Sequence, residues 1–171
     1  MTFKRLGALA AVMAAAVFCA LSASYYAQAR TDDTLALARA RDTALDAGRR
    51  EITELNTVDT QHVEEWLRER LDVTAGPLHD QMLRATESDR GALQQSGASA
   101  RGTVTDAALT ALDPRAGTAR MLATVEVRVT PTSGAPTTDR KRLEVGLERT
   151  AAGWRITTLA AVPVASPGPQ G

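Results

Sequence analysis

Apolar and polar positions change period three times along this chain. Leu6–Ala23 is a continuous run of apolar and small residues, and at about 18 residues it sits near the lower limit for a bilayer-spanning helix. From Arg30 to Leu55 charges alternate, and Leu45, Gly48, Ile52 and Leu55 recur at helical spacing, with Ala38 and Arg41 in the same register. The seam is weak in its first half, so Thr31–Thr43 reads as a solvated stalk and the second half as a docking face. Too few good heptads follow one another to predict a coiled coil. Asn56–Thr60 interrupts with cap and turn formers. A second helix is predicted next, N-capped by Asp59 or Thr60. Val63, Trp66, Leu67 and Leu71 lie on one of its faces, with Glu64, Glu65, Arg68 and Glu69 largely on the other. Gly76-Pro77 breaks the chain, and Pro77 suits the first turn of a third helix running to about Gln95 through Leu78, Met82, Ala85 and Leu93.

From Ala100 the period becomes two. Four strands are predicted, at Ala100–Leu112, Thr118–Thr130, Arg140–Thr150 and Trp154–Val162. Asp113-Pro114-Arg115-Ala116-Gly117 forms a tight turn between the first two, and Ala151-Ala152-Gly153 links the last two. In the second strand Met121, Ala123, Val125, Val127 and Val129 oppose Arg120, Thr124, Glu126 and Arg128. In the third, Leu143, Val145 and Leu147 oppose Arg142, Glu144 and Glu148. This alternation describes an antiparallel sheet with one dry face, which the upstream helices must cover. The predicted fold is α+β: an N-terminal transmembrane helix, then about three helices on a curved four-stranded antiparallel sheet. The expected divisions are 1–5 (cytoplasmic), 6–28 (anchor), 30–55 (juxtamembrane helix), 56–162 (α+β domain) and 163–171, a tail too rich in Pro and Gly to pack.

Two readings compete for the leader. Lys4 and Arg5 ahead of the run, with Asp32-Asp33 beyond it, orient a retained anchor with its N-terminus in the cytoplasm. Tyr25 and Tyr26 then fall in the headgroup layer. A cleaved signal would use Ala27-Gln28-Ala29 ahead of Arg30, but its apolar region is usually about 7–15 residues, shorter than this run. Length favours the anchor. The expected localisation is therefore the plasma membrane, single-pass through Leu6–Tyr26, with the C-terminal domain extracytoplasmic. Cys19 is the sole cysteine, so no intramolecular disulfide can form, and it reads as a small apolar residue of the run. Phe18 before it is too large for a lipoprotein signal.

Composition narrows the chemistry. Formal net charge is zero and the pI is about 6.7, which argues against nucleic acid as a partner. Aromatics are scarce, so the core rests on Leu, Val, Met and Ala, with Trp66 and Trp154 as its bulky pieces. His62 and His79 fall early in helices and read as surface residues. Asp106 shares parity with the apolar Val104, Ala108 and Leu112. A base buried there would need a polarising partner, and a β-bulge would put Asp106 in water instead. Asp106, Trp66 and Trp154 are thus the candidate pocket or core residues. The sequence carries no Gly-rich phosphate loop, no Ser–His–Asp arrangement and no metal-ligand cluster. No catalytic residue, cofactor or metal is expected.

The order of these elements resembles the Mce-associated membrane proteins of actinobacteria. The likeness rests on Ala40–Leu55 after the membrane, the Val63–Leu71 helix, and the hairpin Ala152-Gly153-Trp154-Arg155-Ile156 before the closing strand. A bias toward Ala, Thr, Arg and Asp at the expense of Lys, Ile and Asn resembles high-GC coding sequences. The resemblance implies a nuclear-transport-factor-2-like cone outside the membrane. It further implies a non-catalytic accessory role in an Mce-type lipid or sterol importer, with proteins of that complex as partners. Cones of this kind also host enzymes and carriers of hydrophobic small molecules, which is the competing function.

Overall fold

The computed structural model describes residues 13–26 and 33–163. The expected N-terminus 1–5, the first part of the apolar run, the Ala27–Ala29 sequence and all but Pro163 of the tail lie outside them. Two compact units divide between Ala40 and Arg41. In the first, residues 13–26 form helix α1, every described side chain of which is exposed, Cys19 included. Among the described residues no helix is long and apolar enough to cross a membrane. Helix α2, Asp33–Leu55, is exposed at each position from Thr34 to Arg39.

In the second unit the C-terminal half of α2 is followed by α3 (Val63–Asp72), α4 (Gly76–Ser96) and four strands: β1 (Ser99–Asp113), β2 (Thr118–Thr130), β3 (Thr137–Thr150) and β4 (Gly153–Ala161). The strands form one antiparallel meander in the order β1-β2-β3-β4. The architecture is α+β, helices on one face of a curved sheet. Its dry face carries the predicted alternation. Met121, Val125, Val145, Leu147 and Ile156 are sealed from solvent by Ala44, Ala47 and Ile52 of α2 and Leu78 of α4. Gly48 and Ile52 of the expected α2 seam are buried, but Ala44, Ala47 and Glu51 complete it, while Leu45 and Leu55 only flank the core. Small residues let the helix sit close. At Gly48 an added Cβ would run into Met121 and press on Leu147.

Val63, Trp66 and Leu67 form a separate small core with Val58 and Leu93. Helix α3 starts later than predicted: His62 is its N-cap, and the Asp59 carboxylate instead accepts the Gln61 N–H at 2.8 Å in a turn ahead of it. Both sheet edges are stitched to helix connections. Val58 and Ala100 exchange backbone bonds of 2.7 and 3.0 Å at the β1 edge. Ala75 N–H donates to the Ile156 carbonyl (2.9 Å), and Ile156 N–H to that of Val73 (3.0 Å), at the β4 edge. These bonds cover strand groups that would otherwise offer a pairing template.

Candidate functional site

Asp106 does not enter the cone. Strand β1 slips register between Val104 and Asp106, and again between Leu109 and Ala111. Thr105 is therefore an extra residue. The core-packed positions become Val104, Ala107, Leu109 and Leu112, not the regular set expected from parity. Asp106 pairs across from Thr124 and is exposed. Its carboxylate has no hydrogen-bond or ion-pair partner among the described residues. A cleft of about 540 Å³ opens here, lined among others by Arg49, Asp106, Ala107, Leu122, Arg142 and Leu143. It offers apolar walls and two guanidinium groups, but its carboxylate is exposed to water rather than held in the apolar enclosure that shifts a catalytic base.

Trp66 and Trp154 are buried in different cores. Trp154, the second residue of β4, lies within the sheet core. The Trp66 indole N–H donates to the Thr57 carbonyl, and the Arg70 guanidinium lies over its ring, 4.8 Å from the centroid. Asp106, Trp66 and Trp154 are thus not brought together. The histidines also part company. His62 is exposed and hydrogen-bonds Asp59 at 2.9 Å, which raises its pKa and lowers that of Asp59. His79 was expected at the surface but is half-buried, and its Nδ1–H donates to the Leu71 carbonyl at 3.1 Å, capping the end of α3.

The most perturbed group is one the sequence did not single out. Glu51 is 6% exposed and its Oε1 accepts from Arg155 Nη1 at 2.9 Å, tying α2 to β4. Its Oε2 is buried without a hydrogen-bond partner. Burial pushes the Glu51 carboxyl up to about 7, against the downward pull of Arg155 and Arg50. Beside it lies a groove of about 350 Å³ to which α3 contributes Glu69 and Asp72 and α2 contributes Arg50 and Glu54. Helical spacing from Ala44 and Ala47 puts Glu51 on the buried seam, and that spacing was the signal available. Arg70 was missed in the same way, sharing a face with Val63, Trp66 and Leu67. Among the described residues no group of three or more His, Cys, Asp or Glu side chains is placed to hold a metal ion.

No family model and no curated protein matches this chain. Solved structures do resemble it. An IcmL-like type IV secretion system protein from Legionella pneumophila superposes with a TM-score of 0.60 at 14% identity, over 74% of this chain and 95% of that one. The periplasmic domain of DotI gives 0.58 at 13%, over 70% and 93%. CagV of Helicobacter pylori, a VirB8 homolog of a type IV secretion system, gives 0.57 at 8%, over 72% and 98%. At such identities the likeness is one of fold, the nuclear-transport-factor-2-like cone.

Proposed function

We propose that this protein is a non-catalytic accessory subunit of a membrane transport complex, tethered by Leu6–Tyr26, with its cone on the extracytoplasmic side. The observation that carries this reading is the filled interior. Met121, Leu147, Ile156, Val125, Val145 and Ile52 are its largest fully buried side chains, and they belong to one continuous core with Ala44, Ala47 and Leu78 of the helices. The surface is what remains for function. The type IV secretion system origin of two of the similar solved chains supports a role in a multiprotein assembly. The finer reading is an Mce-type lipid or sterol importer, supported by the resemblance of Ala40–Leu55, Val63–Leu71 and Ala152–Ile156 to Mce-associated proteins.

A second reading draws on the cleft beside Asp106, whose walls include the exposed Leu122 and Val162. Two exposed apolar residues in one cleft suit a hydrophobic ligand as well as a protein anchor. One experiment separates the two. A photoreactive p-benzoylphenylalanine replaces Leu122 in the full chain, and membranes are irradiated before solubilisation. The expected result is a discrete adduct to a transport subunit, unchanged by Asp106→Asn. Absence of any protein adduct, with turnover of a steroid-like substrate that Asp106→Asn abolishes, would overturn the accessory reading.

A further inference from the structure

The bonds at Ala100 and Ile156 leave one length of sheet edge open. Strand β2 pairs with β3 along Thr137–Glu148, whereas β4 pairs with it only from Thr150 back to Leu143, where Ala161 ends the strand. Thr137–Arg142, with which β3 opens, thus has β2 on one side and no strand on the other among the described residues. Every one of these residues is exposed. Two bonds fix the direction of their backbone groups. The Arg142 carbonyl accepts the Val162 N–H at 2.9 Å, on the β4 side, and the Arg149 N–H donates to the Gly117 carbonyl at 2.7 Å, on the β2 side. Even-numbered residues of β3 therefore turn their N–H and C=O away from β2, and Thr138 and Arg140 offer theirs to the open side.

Charge says what fits there. Arg140, Lys141 and Arg142 outnumber Asp139. Arg140 reaches the Glu126 carboxylate at 3.3 Å, while Lys141 and Arg142 have no carboxylate partner among the described residues. Such charges keep a bare edge from pairing with its own kind, since a second copy would bring the same positive surplus. An acidic strand meets no such barrier. Arg140 and Arg142 share one face of β3, and Arg142 also lines the cleft beside Asp106, so the edge continues the surface proposed for docking. We propose that Thr137–Arg142 is a β-augmentation site: an extended acidic segment of a protein partner adds beside β3 beyond the end of β4, its backbone bonded to Thr138 and Arg140 and its carboxylates set against Arg140 and Arg142. In this mode main-chain bonds supply affinity and the charges select the sequence. The site deepens the accessory reading, on which it rests, by giving the partner a chemistry.

A strand-length peptide of alternating threonine and glutamate, titrated into the full chain in non-ionic micelles, tests this with no transport complex present. Failure here is therefore separable from failure of the Leu122 crosslink. Hydrogen exchange read by NMR is expected to slow at the Thr138 and Arg140 amides when the peptide is added. It should stay unchanged at Asp139 and Lys141, which already face β2. The matching threonine–lysine peptide should bind about 10-fold less tightly or not at all. Thr138→Pro removes one outward N–H and spares the β2 ladder, a change edge strands tolerate, and should weaken the glutamate peptide about 5-fold. Equal binding of the two peptides, or unaltered exchange at Thr138 and Arg140, would overturn the site. So would full binding by Thr138→Pro, which would put the peptide elsewhere. Slow exchange of those amides before any peptide is added would also overturn it, because the chain itself would then cover the edge. If Thr138→Pro does not fold, Arg140→Ser combined with Arg142→Ser decides: loss of glutamate-peptide binding supports the site, and undiminished binding overturns it.

Discussion

Arg70 shows how a charge can belong on a buried face. It is 7% exposed, stacked on Trp66, and its guanidinium reaches the Asp89 carboxylate and the Met82 carbonyl of α4. The cation thus holds α3 to α4 where an apolar side chain would leave the Met82 carbonyl less well satisfied. Removing its counter-charge is expected to hurt more than the pair itself is worth, because a buried cation is left behind. Asp89→Ala should cost about 1–3 kcal/mol by denaturant unfolding, less than for a fully buried pair because Asp89 is partly exposed. A loss within experimental error would mean that solvent already reaches Arg70. Neither Arg70 nor Glu51 was read from the sequence. An apolar pattern assigns charged residues to water, and only helical spacing from their neighbours shows that they share the buried side.

At the scale of elements, close approach explains positions that composition leaves neutral. Gly102 of β1 lies against the end of α2, where an added Cβ would meet Asn56 Cβ at 2.6 Å and its backbone at 3.1 Å, and its N–H donates to Thr57 Oγ1 at 3.2 Å. Gly91 of α4 has open space around it. Gly102→Ala is therefore expected to destabilise by about 1–3 kcal/mol. Gly91→Ala should stabilise by about 0.5–1 kcal/mol through helix propensity. Thermal unfolding of both variants checks this, and equal shifts of one sign would contradict the packing described.

The strands were largely legible because β2 and β3 keep strict alternation, and one dry face fixes their register. Strand β1 was not, since two bulges each add a residue and reverse the parity that placed Asp106 inside. Thr105 carries no turn signal that would have revealed the first of them. Helix starts were legible to within a few residues. The N-cap of α3 was misplaced because Asp59 caps a turn of its own rather than the helix.

Over the whole molecule, zero formal charge conceals a division. Acidic residues outnumber basic ones over 41–98, and basic residues outnumber acidic ones over 99–163. The helical and strand segments therefore carry opposite net charge, which the net charge of the whole chain does not report. This division fits the module proposed above, one that works through its surface outside the membrane. The most direct test is the side of the membrane on which that surface lies. In a Cys19→Ser background, Arg120→Cys places one thiol on the exposed face of β2. Intact cells are then treated with a membrane-impermeant maleimide, and the labelled chain is fractionated. The expected outcome is labelling without permeabilisation, of a chain that pellets with membranes and keeps residues 1–26. Labelling that appears only after lysis would contradict the account.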